Sequence, residues 1–159
     1  LQPTLLSFSM LFFASNSLFA ADTSSEPPVF KSSSKPVAVS ALQAGRNAVQ
    51  AKNWDQAITQ FKLAVTQEPA NADAYKMLAY SYRKQAKPDL AKAFENYNMA
   101  LKLDPKHKGA HEYIGEAYLM DKKPAEAEKH LALLASMCGN KTCEEYEDLA
   151  KAIAEYSKK

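Results

Sequence analysis

Glycine is scarce in this chain. Four occur in 159 residues (Gly45, Gly109, Gly115 and Gly139), and none is spaced to build a loop that cradles phosphate. Two cysteines, Cys138 and Cys143, are too few for a zinc-type quartet. The few serines of the second part of the chain, Ser40, Ser81, Ser136 and Ser157, do not sit in a strand-to-helix elbow, so no nucleophile–base constellation stands out. An excess of one charge is missing too: the formal net charge is +2, and Lys, Arg, Asp and Glu alternate. A nucleic-acid partner needs a concentrated basic face to neutralise phosphates, which argues against that class. No acidic tail or polybasic run points to a membrane-surface anchor. These absences argue against an enzyme and imply no cofactor.

Residues 1–21, LQPTLLSFSMLFFASNSLFAA, carry no charge at all. The apolar centre, residues 5–14, has the length of a signal-peptide core and is short for a membrane span. Leu18 and Ala20 suit the third and first positions before a cut, although no positively charged stretch precedes the apolar centre. Residues 1–20 are therefore expected to be a cleaved signal peptide, with a retained anchor as the alternative. No cysteine lies near the cut, which disfavours a lipoprotein. Export implies a periplasmic or secreted protein, with no membrane association after cleavage, and it permits disulfides. Residues 21–37 are dominated by Ser, Pro and charge without apolar periodicity, and read as a disordered linker.

From residue 38 onward the pattern is helical, with almost no β-branched runs, so the fold is expected to be all-α. An internal repeat refines this. In one copy Ala44-Gly45 is followed by Ala57, Phe61, Ala64 and Pro69. In the next, Leu78-Ala79 and Tyr82 lead to Ala93, Tyr97, Ala100 and Pro105. A third shows Ile114-Gly115, Tyr118, Ala127, Leu131 and Leu134. Small residues at Gly45, Ala57, Gly115 and Ala127 let paired helices approach closely. Phe61, Tyr97 and Leu131 are expected to fill the space beyond each pair. Pro69 and Pro105 stop the second helix, because proline cannot continue the hydrogen-bond ladder.

Over roughly residues 38–137 these positions resemble the tetratricopeptide repeat (TPR) family, and NWDQAITQFKLAVTQEP and LAKAFENYNMALKLDP look like its second helix. The resemblance implies a solenoid of three helix pairs, at about 38–71, 72–107 and 108–141. Two departures are visible. The second copy is about two residues longer around residues 86–90, and the third lacks its closing proline and runs into Met137-Cys138-Gly139. Residues 142–159 read as a capping helix. Thr142 and Glu145 form its capping box, Tyr146, Leu149, Ala150 and Ile153 its apolar face, and Glu144, Glu147, Asp148 and Lys151 its polar face.

Three candidate sites remain. His107 and His111 are four apart, a ligand-like spacing, but His111 stands where the family packs a large side chain and lysines flank His107. They read as packing and solvent contacts, and no metal is expected. Cys138 and Cys143 bracket CGNKTC, with Gly139 able to end a helix in the left-handed conformation. They read as a disulfide stapling the cap, with a thiol-redox or metal-handling pair as the alternative.

The third is the face of the first helices, which the resemblance implies lines a concave groove. Its exposed face is expected to carry Arg46, then Lys76, Tyr80 and Arg83, then Glu112, Tyr113 and Glu116, at helical spacing. Glu112 and Glu116 could mimic a catalytic pair, but on this face they read as partner-binding. Family members that bind chaperone tails use a Lys/Asn carboxylate clamp. Leu42 and Arg46 stand where the first of those residues would be, so a standard clamp is not expected. The expected partner is another protein or peptide, extended or helical, acidic towards Arg83 and basic towards Glu116.

Overall fold

A computed structural model describes residues 39–139 and 141–158. The expected signal peptide (1–20) and linker (21–37) lie outside the described residues. The described part is built of helices alone: α1 Ala41–Gln50, α2 Trp54–Gln67, α3 Ala72–Lys84, α4 Leu90–Leu103, α5 Lys108–Met120, α6 Pro124–Cys138 and α7 Glu144–Tyr156.

The helix starts follow from local chemistry. Ser40, Asn53, Asn71 and Asp89 each accept a hydrogen bond from the backbone N–H three residues on, satisfying one otherwise orphaned donor. His107 does the same for α5, its Nδ1 accepting from Ala110 at 3.3 Å. α6 instead opens on Pro124, whose missing N–H costs nothing in the first turn. Cys143 is the N-cap of α7, one residue later than Thr142, and its side chain makes no cap hydrogen bond.

The stops are equally legible. α2 and α4 end two residues before Pro69 and Pro105. Gly139 ends α6 with φ of 72°, a left-handed conformation open to glycine at little cost. The turns within the first and third pairs span three residues each, 51–53 and 121–123, and each contains a lysine at positive φ (Lys52 and Lys122). The turn within the second pair spans five, 85–89, which accounts for the longer second copy.

Packing joins consecutive helices into an antiparallel stack, α1 to α6 in three hairpins with α7 laid against α5 and α6. Ala57, Ala93 and Ala127 are fully buried at corresponding positions, which brings each second helix onto its first. Phe61 and Tyr97 are also fully buried, each contributing roughly 1.5–3 kcal/mol by burial. A Cβ on Gly45 would lie 2.5 Å from the Phe61 ring, so the aromatic occupies the room the glycine leaves.

The third pair differs. Leu131, expected in the role of Phe61 and Tyr97, is only half buried, and Leu134 is the large side chain of α6 that is fully buried. The reason is a change of occupant. A Cβ on Gly115 would meet Leu149 Cδ2 at 2.6 Å, so a leucine from α7 fills the space that the second helix fills in the first pair. On α7, Leu149 is fully buried and Glu144, Glu147, Asp148 and Lys151 are exposed, the division a terminal cap requires.

Candidate binding groove

Helices α1, α3 and α5 lie side by side and present the predicted residues along one face. The structure keeps some of these at the surface and withdraws others. Arg46 is exposed, and Tyr80, Tyr113, Lys76 and Glu116 are half buried. Arg83 and Glu112, expected on the exposed face, are buried, at 6% and 8% exposure. Spacing put them on the right side of the helix, but the depth is set by neighbouring helices. Arg83 reaches inward between α3 and α5. Its Nη2 lies 2.6 Å from Glu116 Oε2, and its Nε donates to the Tyr97 hydroxyl at 3.3 Å. Glu112 is covered where α7 closes on α5.

The basic residues predicted for this face, Arg46, Lys76 and Arg83, are partnered within the protein. Arg46 pairs with Asp73, and Lys76 Nζ sits 2.7 Å from the same carboxylate. His107 Nε2 approaches it at 3.8 Å. Burial alone would raise the Asp73 pKa, but the hydrogen bond and charge of Lys76, with Arg46 and His107, outweigh it and hold the carboxyl below its usual value. Burial and the charge of Lys76 together lower the pKa of His107. The expected run of free positive charge is thus gathered around one anion.

Aromatic rings form the centre of the face. Tyr80 and Tyr113 pack with centroids 5.0 Å apart, and Trp54 meets Tyr80 edge-on at 6.0 Å. The Arg83 guanidinium stands 5.4 Å from the Tyr80 ring and 5.6 Å from Tyr113, and Lys76 Nζ is 5.7 Å from Tyr113. Burial would lower the Arg83 pKa, but Tyr97 and Glu116 reverse that and raise it, so the cation is permanent. Burial raises the Tyr113 phenol to about 12. These groups therefore offer a fixed cation at Arg83, a neutral phenol at Tyr113 and ring faces.

The far end is acidic. Burial, then the charges of Glu116, Asp148 and Glu145, push the Glu112 carboxyl up to about 8, against the opposing pull of Arg83. Glu145 and Asp148 come from α7, which had been read only as a solvating cap.

The histidines pair differently from their sequence spacing. His107 caps α5 and faces Asp73, whereas His111 turns inward, its Nε2 3.0 Å from the Pro105 carbonyl and its Nδ1 2.8 Å from His130 Nδ1. The carbonyl can only accept, so His111 Nε2 carries a hydrogen, and one hydrogen is shared between the two Nδ1 atoms. Burial and the neighbouring His111 lower the His130 pKa to about 4. Cys138 and Cys143 meet sulfur to sulfur with Cα atoms 5.8 Å apart, across the turn between α6 and α7. Among the described residues, no group of three or more His, Cys, Asp or Glu is arranged to hold a metal ion.

Sequence reasoning missed Asp73, Trp54 and His130, and it gave Tyr97 a packing role without its hydrogen bond to Arg83. Asp73 stands three residues before Lys76 in the first turn of α3, a spacing that brings an acid and a base together. The other three act through contacts between helices, for which the sequence carries no local signal.

Comparison with known proteins agrees with this architecture. The tetratricopeptide repeat profile matches residues 42–107 and 77–138, which together cover 42–138. No curated protein matches the sequence. Solved structures do share the fold. The TPR2B domain of yeast Sti1, in its pHsp70 complex, superposes with TM-score 0.67 at 18% identity, over 74% of this chain and 94% of that one. The first TPR of Spaghetti (RPAP3), bound to the HSP90 peptide SRMEEVD, gives 0.63 at 20%, over 76% and 94%. The CopN–Scc3 complex gives 0.58 at 22%, over 72% and 65%. Given three helical hairpins and a seventh helix among the described residues, and a profile match over more than half its length, the chain belongs to the tetratricopeptide repeat family.

Proposed function

We propose that this protein is a non-enzymatic scaffold that holds a peptide or helix of another protein against the face of α1, α3 and α5. The observation that carries the reading is the half-buried Tyr80–Tyr113 pair, 5.0 Å between centroids, with the Arg83 guanidinium against both rings. Half-buried tyrosines backed by a fixed cation supply large contact area with little entropy left to lose, the composition that dominates binding energy at interfaces. The fold neighbours are in keeping with it: the Spaghetti domain is bound to an HSP90 peptide, and the Sti1 domain is in a pHsp70 complex. Each shares about a fifth of its residues with this chain, so the ligand is argued from the groove alone.

The groove does not favour a bare carboxylate at its first end, because Arg46 and Lys76 are already held by Asp73. A ligand there exchanges one anion for another. We further read the protein as exported, acting in the cell envelope or periplasm, on the strength of the uncharged apolar residues 1–20. In that compartment the Cys138–Cys143 pair serves as a staple between α6 and α7.

Cross-linking the full chain in an exporting host, followed by recovery of its bound partners, tests the groove. Tyr80→Ala and Tyr113→Ala together should abolish recovery while the melting temperature of the protein stays within a few degrees. Recovery undiminished by both changes would remove the groove as the interaction site. Intact mass of the soluble periplasmic protein tests export: a species still carrying residues 1–20 would contradict cleavage.

A further inference from the structure

Glu112 is more than nine-tenths buried, at 8% exposure, and among the described residues it makes no hydrogen bond and no ion pair. No side-chain N or O atom of the described residues is both sealed from solvent and unbonded, so its carboxyl keeps an opening to solvent. Such a group is expensive to leave without a donor. The groups facing it come from three helices. Glu116 lies one turn along α5, Glu145 and Asp148 belong to α7, and Arg83 of α3 is the opposing cation. Arg83 is already committed to Glu116 and Tyr97. The Tyr113 phenol also faces the carboxyl, and Glu112 helps to hold it protonated. The arrangement is held in place by Leu149, which seats α7 on Gly115.

We propose that the solvent opening at Glu112, on a helix packed by α7, receives a lysine or arginine side chain of the bound partner, its cation meeting Glu112 with Glu145 and Asp148 around it. The proposal rests on the groove reading above and names the ligand chemistry at its far end. A positive side chain supplies the donor that an ionised Glu112 lacks and offsets the surplus of negative charge around it, which one arginine serves. A bare metal ion fits less well, since the described residues offer no group of three or more side chains arranged as ligands. An elongated side chain needs one opening at Glu112 together with the negative field of Glu145 and Asp148 around it. Glu112 gives the site a pH signature. It is protonated in the free protein below about pH 8, so capture of a cation expels a proton.

The test uses the full chain and a display library of random dodecapeptides. Peptides selected on the wild-type protein should carry Lys or Arg at one fixed register. That register should lose its preference when selection is repeated on Glu145→Gln with Asp148→Asn. A synthetic peptide from the first selection should bind the double variant about tenfold more weakly. Its affinity for the wild-type protein should rise with pH, by up to about tenfold per unit below pH 8, and this rise should vanish in Glu112→Gln. Selected peptides without a basic register overturn the Glu112 site while leaving the groove reading intact, as does a basic register that persists on the double variant. Failure to select any peptide overturns both. Calcium chloride alone competing with the peptide at equal ionic strength would mark a metal site and overturn the proposal.

Discussion

Arg83 Nη2 lies 2.6 Å from Glu116 Oε2, joining α3 to α5 from beneath the tyrosines that line the face. The pair is a structural support of the groove and not a free charge presented to a ligand. Its arginine is 6% exposed and its carboxylate 27%. Removing one member leaves the other poorly solvated, and a charge reversal at position 83 would report damage to the fold instead of lost binding.

Arg83→Met is accordingly expected to lower stability by about 3 kcal/mol, because Glu116 and the Tyr97 hydroxyl both lose their partner. Adding Glu116→Gln should recover about 1 kcal/mol through the removed carboxylate. Urea titration of the two singles and the double closes the cycle. Additive losses would show that the pair is uncoupled.

Buried Glu112 and half-buried His130 give stability opposite dependences on pH. The folded pKa of His130 is depressed from 6.5 to about 4, so in that window the unfolded chain binds more protons and acid destabilises. Glu112 is raised from 4.5 to about 8, so the folded chain holds the extra proton and rising pH destabilises through that window. Between pH 4.5 and 6.5 the two slopes oppose each other. Stability should be nearly flat there, then fall towards pH 8 by about 2 kcal/mol, allowing for the partial solvation of the carboxyl. Glu112→Gln should abolish the alkaline fall and expose the acid slope. His130→Gln, which keeps a donor for His111, should abolish the acid slope. Melting temperatures across the range decide it, and an alkaline fall that survives Glu112→Gln would refute the assignment.

Gly115 owes its place to Leu149. Alanine there would put a methyl 2.6 Å from Leu149 Cδ2, and that leucine is fully buried and has little room to yield. Gly115→Ala should cost about 1–3 kcal/mol, felt mainly at α7. Combining it with Leu149→Ala should give less than the sum of the two losses. Hydrogen exchange of the α7 amides is the local readout, and an effect spread evenly over α1 to α6 would contradict it.

Reducing the Cys138–Cys143 bond should loosen α7 while the three hairpins stay folded, since each repeat leans mainly on its neighbours. For so short a loop the entropic gain is only about 2 kcal/mol. Amide exchange of residues 146–153 with and without reductant measures it, and equal protection in both states would remove the structural role.

How much of this was legible in the sequence depended on range. Where helices start and stop, which residues are small and which aromatic, and that they recur in three copies are all local properties. Asn53, Asn71, Pro69, Pro105 and Gly139 act on the backbone within a few residues of themselves. Helical spacing also assigned Arg83 and Glu112 to the right face. Their depth was beyond the reach of spacing, because burial depends on what lies across the gap: Tyr97 and Glu116 for Arg83, and α7 for Glu112. The same holds for Leu131, displaced in its role by a leucine eighteen positions later, and for His111, whose partner is not the nearby His107 but His130 on another helix. The chain by itself determined a repeat of helical hairpins, since period, caps and breakers are written residue by residue. Only the tertiary structure decided which charges are neutralised, which carboxyl stands without a donor, and hence what the groove can hold. Electrostatic and packing energies are set by distances through space, and the linear order of residues does not carry those.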